Sequence, residues 1–304
     1  MKIYHKDLNL IFRKLKISDF KEFKELFYLC FNKRISFNFF KWRYFDDKFS
    51  FCYGVFHSSK MIANVGMKSM KLSNKKNERI FSRHSSMVLA KYRGLGIFSE
   101  LLKEVKKKIQ KDIRIIVMWP NKINFASFGI GQDKFIKKKY YLYKTNHHKI
   151  KIKKTLNYNI EQLAKFKNFI QNSDNFFLKD LNYFKNRYLS YKKNEYLINK
   201  FESKNFTSFY ILKKNSDKLG LNYVILDHFG SNNIKLKHLS QLIHDEQKVI
   251  FWTKKKINDL NCKLINHINI GVGFIKKIDT PIKNKMLSNK EFMIGDTDSF
   301  ISIL

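Results

Sequence analysis

Between residues 88 and 105 the chain reads "VLAKYRGLGIFSELLKEV". Arg93, Gly94, Leu95 and Gly96 set one cation and two glycines between an apolar run and an amphipathic stretch. A strand that turns through glycine into a helix aims several backbone N–H groups and the positive end of a helix dipole at one point, which suits a phosphate. A Cβ at Gly94 or Gly96 would obstruct positive φ angles or the close approach of a pyrophosphate to the backbone. The spacing is not the G-x-x-x-x-G-K-[ST] of a Walker loop, and the third glycine of the dinucleotide fingerprint is absent, which counts against both nucleotide readings. A plain helix entry through a glycine turn accounts for the same residues.

Other side chains able to do chemistry lie upstream. His84, in "FSRHSSMVLA", is a candidate general base, because an unperturbed imidazole is largely neutral at cellular pH; a strand histidine with a structural role is the alternative. Trp42 and Arg43, followed by Tyr44, could stack on a sugar or bind an anionic group of a substrate. Arg187 and Tyr188 repeat the Arg-Tyr pair further on, which favours structure over binding. Asn121 could hydrogen-bond a ligand or a water, or cap the following helix as an Asx turn; Asp296 and Asp298 could hold an ammonium or sit in a polar turn. Cys30, Cys52 and Cys262 have no paired spacing, so neither a disulfide framework nor a metal site is expected.

These residues need elements to position them. Residues 19–31 place Phe20, Phe23, Leu26, Phe27 and Cys30 on one helical stripe, with Ser18 as a candidate cap. "FCYGVFH", "MIANVGMKSMKL" and "FSRHSSMVLA" predict strands, the first two joined by the turn-like "SSK". After the glycine loop, Phe98, Leu101, Leu102, Val105 and Ile109 give a helix its buried face, and the β-branched "DIRIIVMW" predicts a buried strand stopped by Pro120 and Asn121.

From about residue 150 the order restarts. "YFKNRYL", from Tyr183, echoes "FFKWRYF", from Phe39; "LNYVILDHF" sits where "HSSMVLAKY" sat, and "KVIFWTKK" matches "IRIIVMWP". A repeat of about 145 residues is too long for a solenoid, so two copies of one domain are expected, 1–150 and 151–304. A chance echo in an Asn- and Lys-rich chain is the alternative. No glycine loop follows Asp227.

The 304 residues, 44% hydrophobic with two prolines, are expected to fold throughout. A net charge of +36 points to a polyanion, but the lysines are spread along the chain, a pattern that compositional bias also produces. A non-catalytic basic module binding nucleic acid or another polyanion is therefore the second functional reading. No run of about 18 apolar residues supplies a membrane span, and a soluble, cytoplasmic protein is expected.

The segment Arg93-Gly94-Leu95-Gly96-Ile97-Phe98 resembles the [QR]-x-x-G-x-[GA] turn of the GNAT acyltransferase superfamily, with Phe98 as a departure at the last position. "FFKWRYF" and "MVLAKYRGLGIF" together are similar to a subgroup associated with surface-glycan or sugar N-acylation, and "MIGDTDSF" resembles the closing segments of its paired-domain members. The resemblance implies an α/β (α+β) fold, a mixed central sheet with flanking helices, in two tandem GNAT-like halves. It implies that Met87, Val88 and Leu89 pair with the pantetheine arm of acetyl-CoA or another acyl-CoA, and that Arg93, Gly94, Leu95, Gly96, Ile97 and Phe98 cradle its pyrophosphate, with Asn121 nearby. It further implies direct acyl transfer to a primary amine of a small molecule, an amino sugar or nucleotide-linked sugar among the candidates. The tyrosine acid common in the family would fall at Ile130, so that role would pass to Tyr140, Tyr141 or solvent.

Overall fold

The structure, a computed structural model, describes residues 8–46, 49–71, 79–109, 115–118, 134–145, 183, 187–188, 196–203, 206–217, 220–230, 248–253 and 262–274. Two compact units divide the chain: Met1–Lys71 with Asn77–Lys137 and Ile270–Ile278 form the first, and Leu72–Lys76 with Lys138–Asn269 and Asp279–Leu304 the second. Both units are discontinuous in sequence, the second taking in Leu72–Lys76 and the first Ile270–Ile278.

The first unit runs β1 (Leu10–Lys14), α1 (Phe20–Phe31), α2 (Phe37–Tyr44), β2 (Phe51–His57), β3 (Lys60–Lys71), β4 (Arg79–Val88), α3 (Ile97–Ile109) and β5 (Ile115–Met118). Strands β1 to β4 form an antiparallel meander, β4 pairs in parallel with β5, and β5 pairs antiparallel with Gly271 to Phe274. Ser58 and Ser59, with φ of 47° and 65°, make the two-residue turn between β2 and β3; two positive φ values match the twist of the strands they join.

Period-2 alternation sends side chains to opposite faces of this sheet. Val55, Val65, Met67 and Phe81 pack against Ile97, Leu101, Leu102 and Val105 of α3. Cys52, Phe56, Met61 and Met87 pack on the other face against Phe23 and Leu26 of α1 and Phe40 and Tyr44 of α2. The α1 stripe is as the sequence predicts, with Phe23 and Leu26 wholly buried and Phe20, Phe27 and Cys30 packed at its margin. Ser36 caps α2, its Oγ accepting from the Phe39 N–H at 3.1 Å.

The entry to α1 differs from the expected Ser18 cap. A single 3-10 turn, Ile17–Asp19, precedes the helix, and Asp19 accepts two 2.7 Å hydrogen bonds from the Arg13 guanidinium and a third, also 2.7 Å, from the Lys16 N–H. Those bonds, from Arg13 above all, hold the Asp19 carboxyl below the usual carboxylate range against the opposing effect of burial.

Strand β4 carries an irregularity. Asn64 of β3 faces Met87 and Gly66 faces His84, so one residue of β3 opposes two of β4, Ser85 and Ser86. Ser85 takes the left-handed φ of 47°. The side-chain phase shifts with it: Arg83, whose guanidinium stands 5.8 Å from the Phe98 ring, faces α3, His84 faces α2, and Met87 returns to the face of His84. Gly66 makes room there, because a Cβ on it would lie 2.2 Å from His84 Cε1.

The second unit repeats the order. Strands β6 (Lys134–Thr145), β7 (Tyr196–Ser203), β8 (Phe206–Asp217), β9 (Gly220–Gly230) and β10 (Lys248–Thr253) pair so that β7, β8 and β9 form an antiparallel meander, β9 lies parallel to β10, and β10 lies antiparallel to β6. This matches β2, β3, β4, β5 and the end of β11 (Cys262–Phe274) in the first unit. Here too the last strand of a meander is irregular, with Ile211 opposite Asp227 and Leu212 opposite Ile225. The fold is a mixed α/β arrangement, as expected from the sequence.

Two outcomes follow from this packing. Asp19→Asn should lower stability by about 1–2 kcal/mol at pH 7, the usual worth of charge-assisted bonds at a partly exposed site. Because the folded pKa of Asp19 is depressed, its contribution is present above about pH 4 and is lost as pH falls through the folded value; melting curves from pH 7 to 2 should show a shallower acid limb in the variant. Gly66→Ala should cost about 1–3 kcal/mol by overpacking against the His84 ring, read as a fall in the melting temperature.

Candidate functional site

The glycine loop has the backbone that its sequence requires. Gly94 and Gly96 have φ of 80° and 81°, both in the left-handed region. Helix α3 starts immediately after them, and the Glu100 N–H reaches the Gly96 carbonyl at 3.1 Å as its first bond. The N–H groups of Ile97, Phe98 and Ser99 precede the start of the intrahelical ladder and lie at the positive end of the helix dipole. Arg93, Gly94 and Gly96 are exposed, and a Cβ at Gly94 would meet nothing within 4 Å. Ile97 anchors the turn in the α3-side core, at 1% exposure, while Phe98 packs partly buried against the same cluster. Leu95 also packs on that cluster.

The strand end is braced against α1. Arg93 Nε donates to the Val88 carbonyl at 3.0 Å, and the Cys30 thiol approaches the same oxygen at 3.6 Å. Burial raises the pKa of that thiol, so it remains an S–H donor. Leu89 N–H bonds the Ile62 carbonyl at 2.9 Å, and Tyr92, which packs edge-on to His57, meets His57 Nδ1 at 2.7 Å. Among the described residues the pairing of β4 with β5 ends at Arg83 opposite Met118, while β4 continues through His84, Met87 and Val88. The Met87 side chain turns into the core at 2% exposure, leaving its backbone to any ligand.

His84 lies on that continuation, in contacts the sequence did not disclose. Its ring stacks on Tyr44, with centroids 5.3 Å apart and planes 23° from parallel, and its Nδ1 is 3.1 Å from Ser85 Oγ. Tyr44 Oη is 2.6 Å from the same Ser85 oxygen, and Asn64 Nδ2 donates to the Ser85 carbonyl at 3.0 Å. Burial pushes the Tyr44 phenol well above the ordinary tyrosine range, and the Cys52 thiol likewise, with the Arg43 charge opposing both. Arg43 is 3% exposed, its charge set beside Tyr44 and Cys52 behind His84; half-buried Trp42 packs on Phe39 at 5.7 Å and lies 6.0 Å from Lys68 Nζ. Tyr141 lies in β6. Asn121, Asp296 and Asp298 lie outside the described residues.

The second unit has a related cluster. Tyr188 and Tyr183 both donate to Asp227 Oδ2, the latter at 3.1 Å, and Asp227 is 0% exposed on β9. Burial works against the charge of Arg187, yet the neighbouring tyrosines and Asp227 raise its pKa. Among the described residues no group of three His, Cys, Asp or Glu side chains is set to hold a metal, and no helix is long and apolar enough to cross a membrane.

No protein-family model matches the chain, and no curated protein sequence does. Solved structures do. A GCN5-related N-acetyltransferase from Anabaena variabilis aligns over 88% of this chain and 73% of its own with a TM-score of 0.65 at 11% identity. A GCN5-related N-acetyltransferase from Kribbella flavida aligns over 88% and 72% with a TM-score of 0.61 at 10% identity. Eis1 from Mycobacterium abscessus aligns over 88% and 73% with a TM-score of 0.55 at 10% identity. At such identities the likeness is one of fold: the chain folds as GCN5-related N-acetyltransferases do.

Proposed function

We propose that the protein transfers an acyl group from acyl-coenzyme A, acetyl-CoA first among the candidates, to a primary amine of a small molecule. The observation that carries this reading is the conjunction at one strand end. Two left-handed glycines open α3, exposed Arg93 is tied to Val88, and strand β4 leads directly into that turn. A pyrophosphate fits the Arg93–Phe98 turn because the N–H groups of Ile97 and Phe98 and the Arg93 guanidinium supply donors and positive charge, and no Cβ blocks Gly94. The backbone of Met87, Val88 and Leu89 would pair with the amide-bearing arm of the coenzyme, as an added strand does.

Bound there, the coenzyme supplies a thioester carbonyl that a neutral amine can attack. The C–N bond forms as the C–S bond breaks, so the protein must bind, orient and stabilise charge on the carbonyl oxygen; no covalent enzyme intermediate is needed. An amino sugar or nucleotide-linked sugar is the acceptor class favoured by the sequence resemblance. The polyanion-binding reading rests on net charge and on the many Phe and Tyr residues available for stacking; on α3, Lys103 and Lys107 pair with Glu100 and Glu104 at 2.7 and 2.6 Å.

Gly94→Asp tests the cradle directly. The side chain enters open space and aspartate tolerates the left-handed region better than most residues, so the fold should persist while the loop turns acidic. Titration calorimetry should give acetyl-CoA binding to the parent protein and a loss of about tenfold or more in the variant, since about 1.4 kcal/mol of lost attraction suffices. Equal binding by both would remove the pyrophosphate from this loop.

A further inference from the structure

Just ahead of the glycine loop the chain carries a second basic cluster, organised by Tyr92. The Tyr92 ring is buried in the α3-side core, and its hydroxyl is 2.7 Å from His57 Nδ1. The imidazole stands edge-on to it with centroids 5.8 Å apart, and Lys91 Nζ lies 5.0 Å from its centroid. Lys60 is the direct partner of His57 across the hairpin of β2 and β3. Directly opposed residues of an antiparallel pair share a face, so Lys60 stands with His57 on the α3 side of the sheet. Lys60, Lys91 and Arg93 are exposed and His57 is partly so. Among the described residues no carboxylate pairs with any of these three cations. The contact with Tyr92 engages Nδ1 of His57, which leaves Nε2 as the ring nitrogen for a ligand.

We propose that Lys60, Lys91 and His57 form a subsite for the 3′-phosphate of coenzyme A. The proposal rests on the acyl-coenzyme A reading and adds to it the recognition of the coenzyme's third phosphorus. That group is a monoester, with three acceptor oxygens and a charge of about −1.5 to −2 at neutral pH, and it hangs from the ribose beside the pyrophosphate. Two ammonium groups on flexible stems and one imidazole N–H match its three oxygens, and neither lysine has to give up a carboxylate to reach it. Only Arg93 separates Tyr92 from Gly94, so the two phosphate sites adjoin along the chain as the two groups adjoin on the coenzyme. Tyr92 is a positioning residue: its hydroxyl holds the His57 ring and its face carries the Lys91 ammonium.

Titration calorimetry of the full-length protein with coenzyme A and with 3′-dephospho-coenzyme A reads this subsite apart from the glycine loop. The parent should bind coenzyme A about tenfold or more tighter than the dephospho form, the scale of one or two charge-assisted hydrogen bonds. In Lys60→Ala/Lys91→Ala that ratio should fall to about three or less, and in His57→Ala to an intermediate value. Binding of the dephospho form should stay within about twofold of the parent in both variants, which separates loss of the subsite from damage to the loop or the fold. Equal binding of the two ligands by the parent overturns the subsite and leaves the coenzyme reading standing. A ratio that survives the double substitution also overturns it, because the phosphate is then held elsewhere. If the parent binds neither ligand, the coenzyme reading fails and takes the subsite with it.

Discussion

Strand β4 carries one residue more than β3 can pair between Asn64 and Gly66, and the candidate site follows from where that residue goes. A serine at a φ of 47° costs about 1–3 kcal/mol, so it persists only where its surroundings hold it. The Asn64 amide on its carbonyl and the Tyr44 hydroxyl on its side chain each return about 1 kcal/mol. With the bulge in place, His84 and Met87 share a face that strict alternation would deny them, and helix α2 is tied through Tyr44 to the middle of the strand. The glycine loop begins only a few residues further on, so the bulge and the loop lie on one continuous strand end.

The second unit solves the same packing problem with a different chemistry. Tyr188 reaches Asp227 on β9 much as Tyr44 reaches Ser85 on β4, beside a comparable irregularity in strand pairing. Replacing a hydroxyl by a wholly buried carboxylate demands more of its neighbours. Tyr183 and Tyr188 supply the donors and Arg187 the nearby opposite charge. Such a network rigidifies a core, and no glycine loop follows it in the sequence.

Much of this was legible in the residues. The stripe on α1, the hairpin through Ser58 and Ser59, the positive φ of the two loop glycines and the repeat of strand order all leave local or periodic marks. What escaped depends on pairing between distant segments. The bulge is invisible without the register of β3, and the pairing of Tyr44 with Ser85 spans 41 residues. Asn64 and "HSS" in the middle of two predicted strands were the available signal, since polar side chains in a strand centre require partners. The Ser18 cap failed because Asp19, bonded by Arg13 and the Lys16 N–H, offered a stronger local arrangement at the next position.

The pairing of β5 with Gly271 to Phe274 bears on how the chain is made. A ribosome releases the chain from its amino end, and the edge of "IIVM" must wait for more than a hundred and fifty later residues before its neighbour is synthesised, a separation on the order of a whole domain. Until then that β-branched strand presents unpaired backbone to whatever is close by. The first unit is therefore a late finisher despite being translated first, and its sheet closes only when the second is almost wholly in existence.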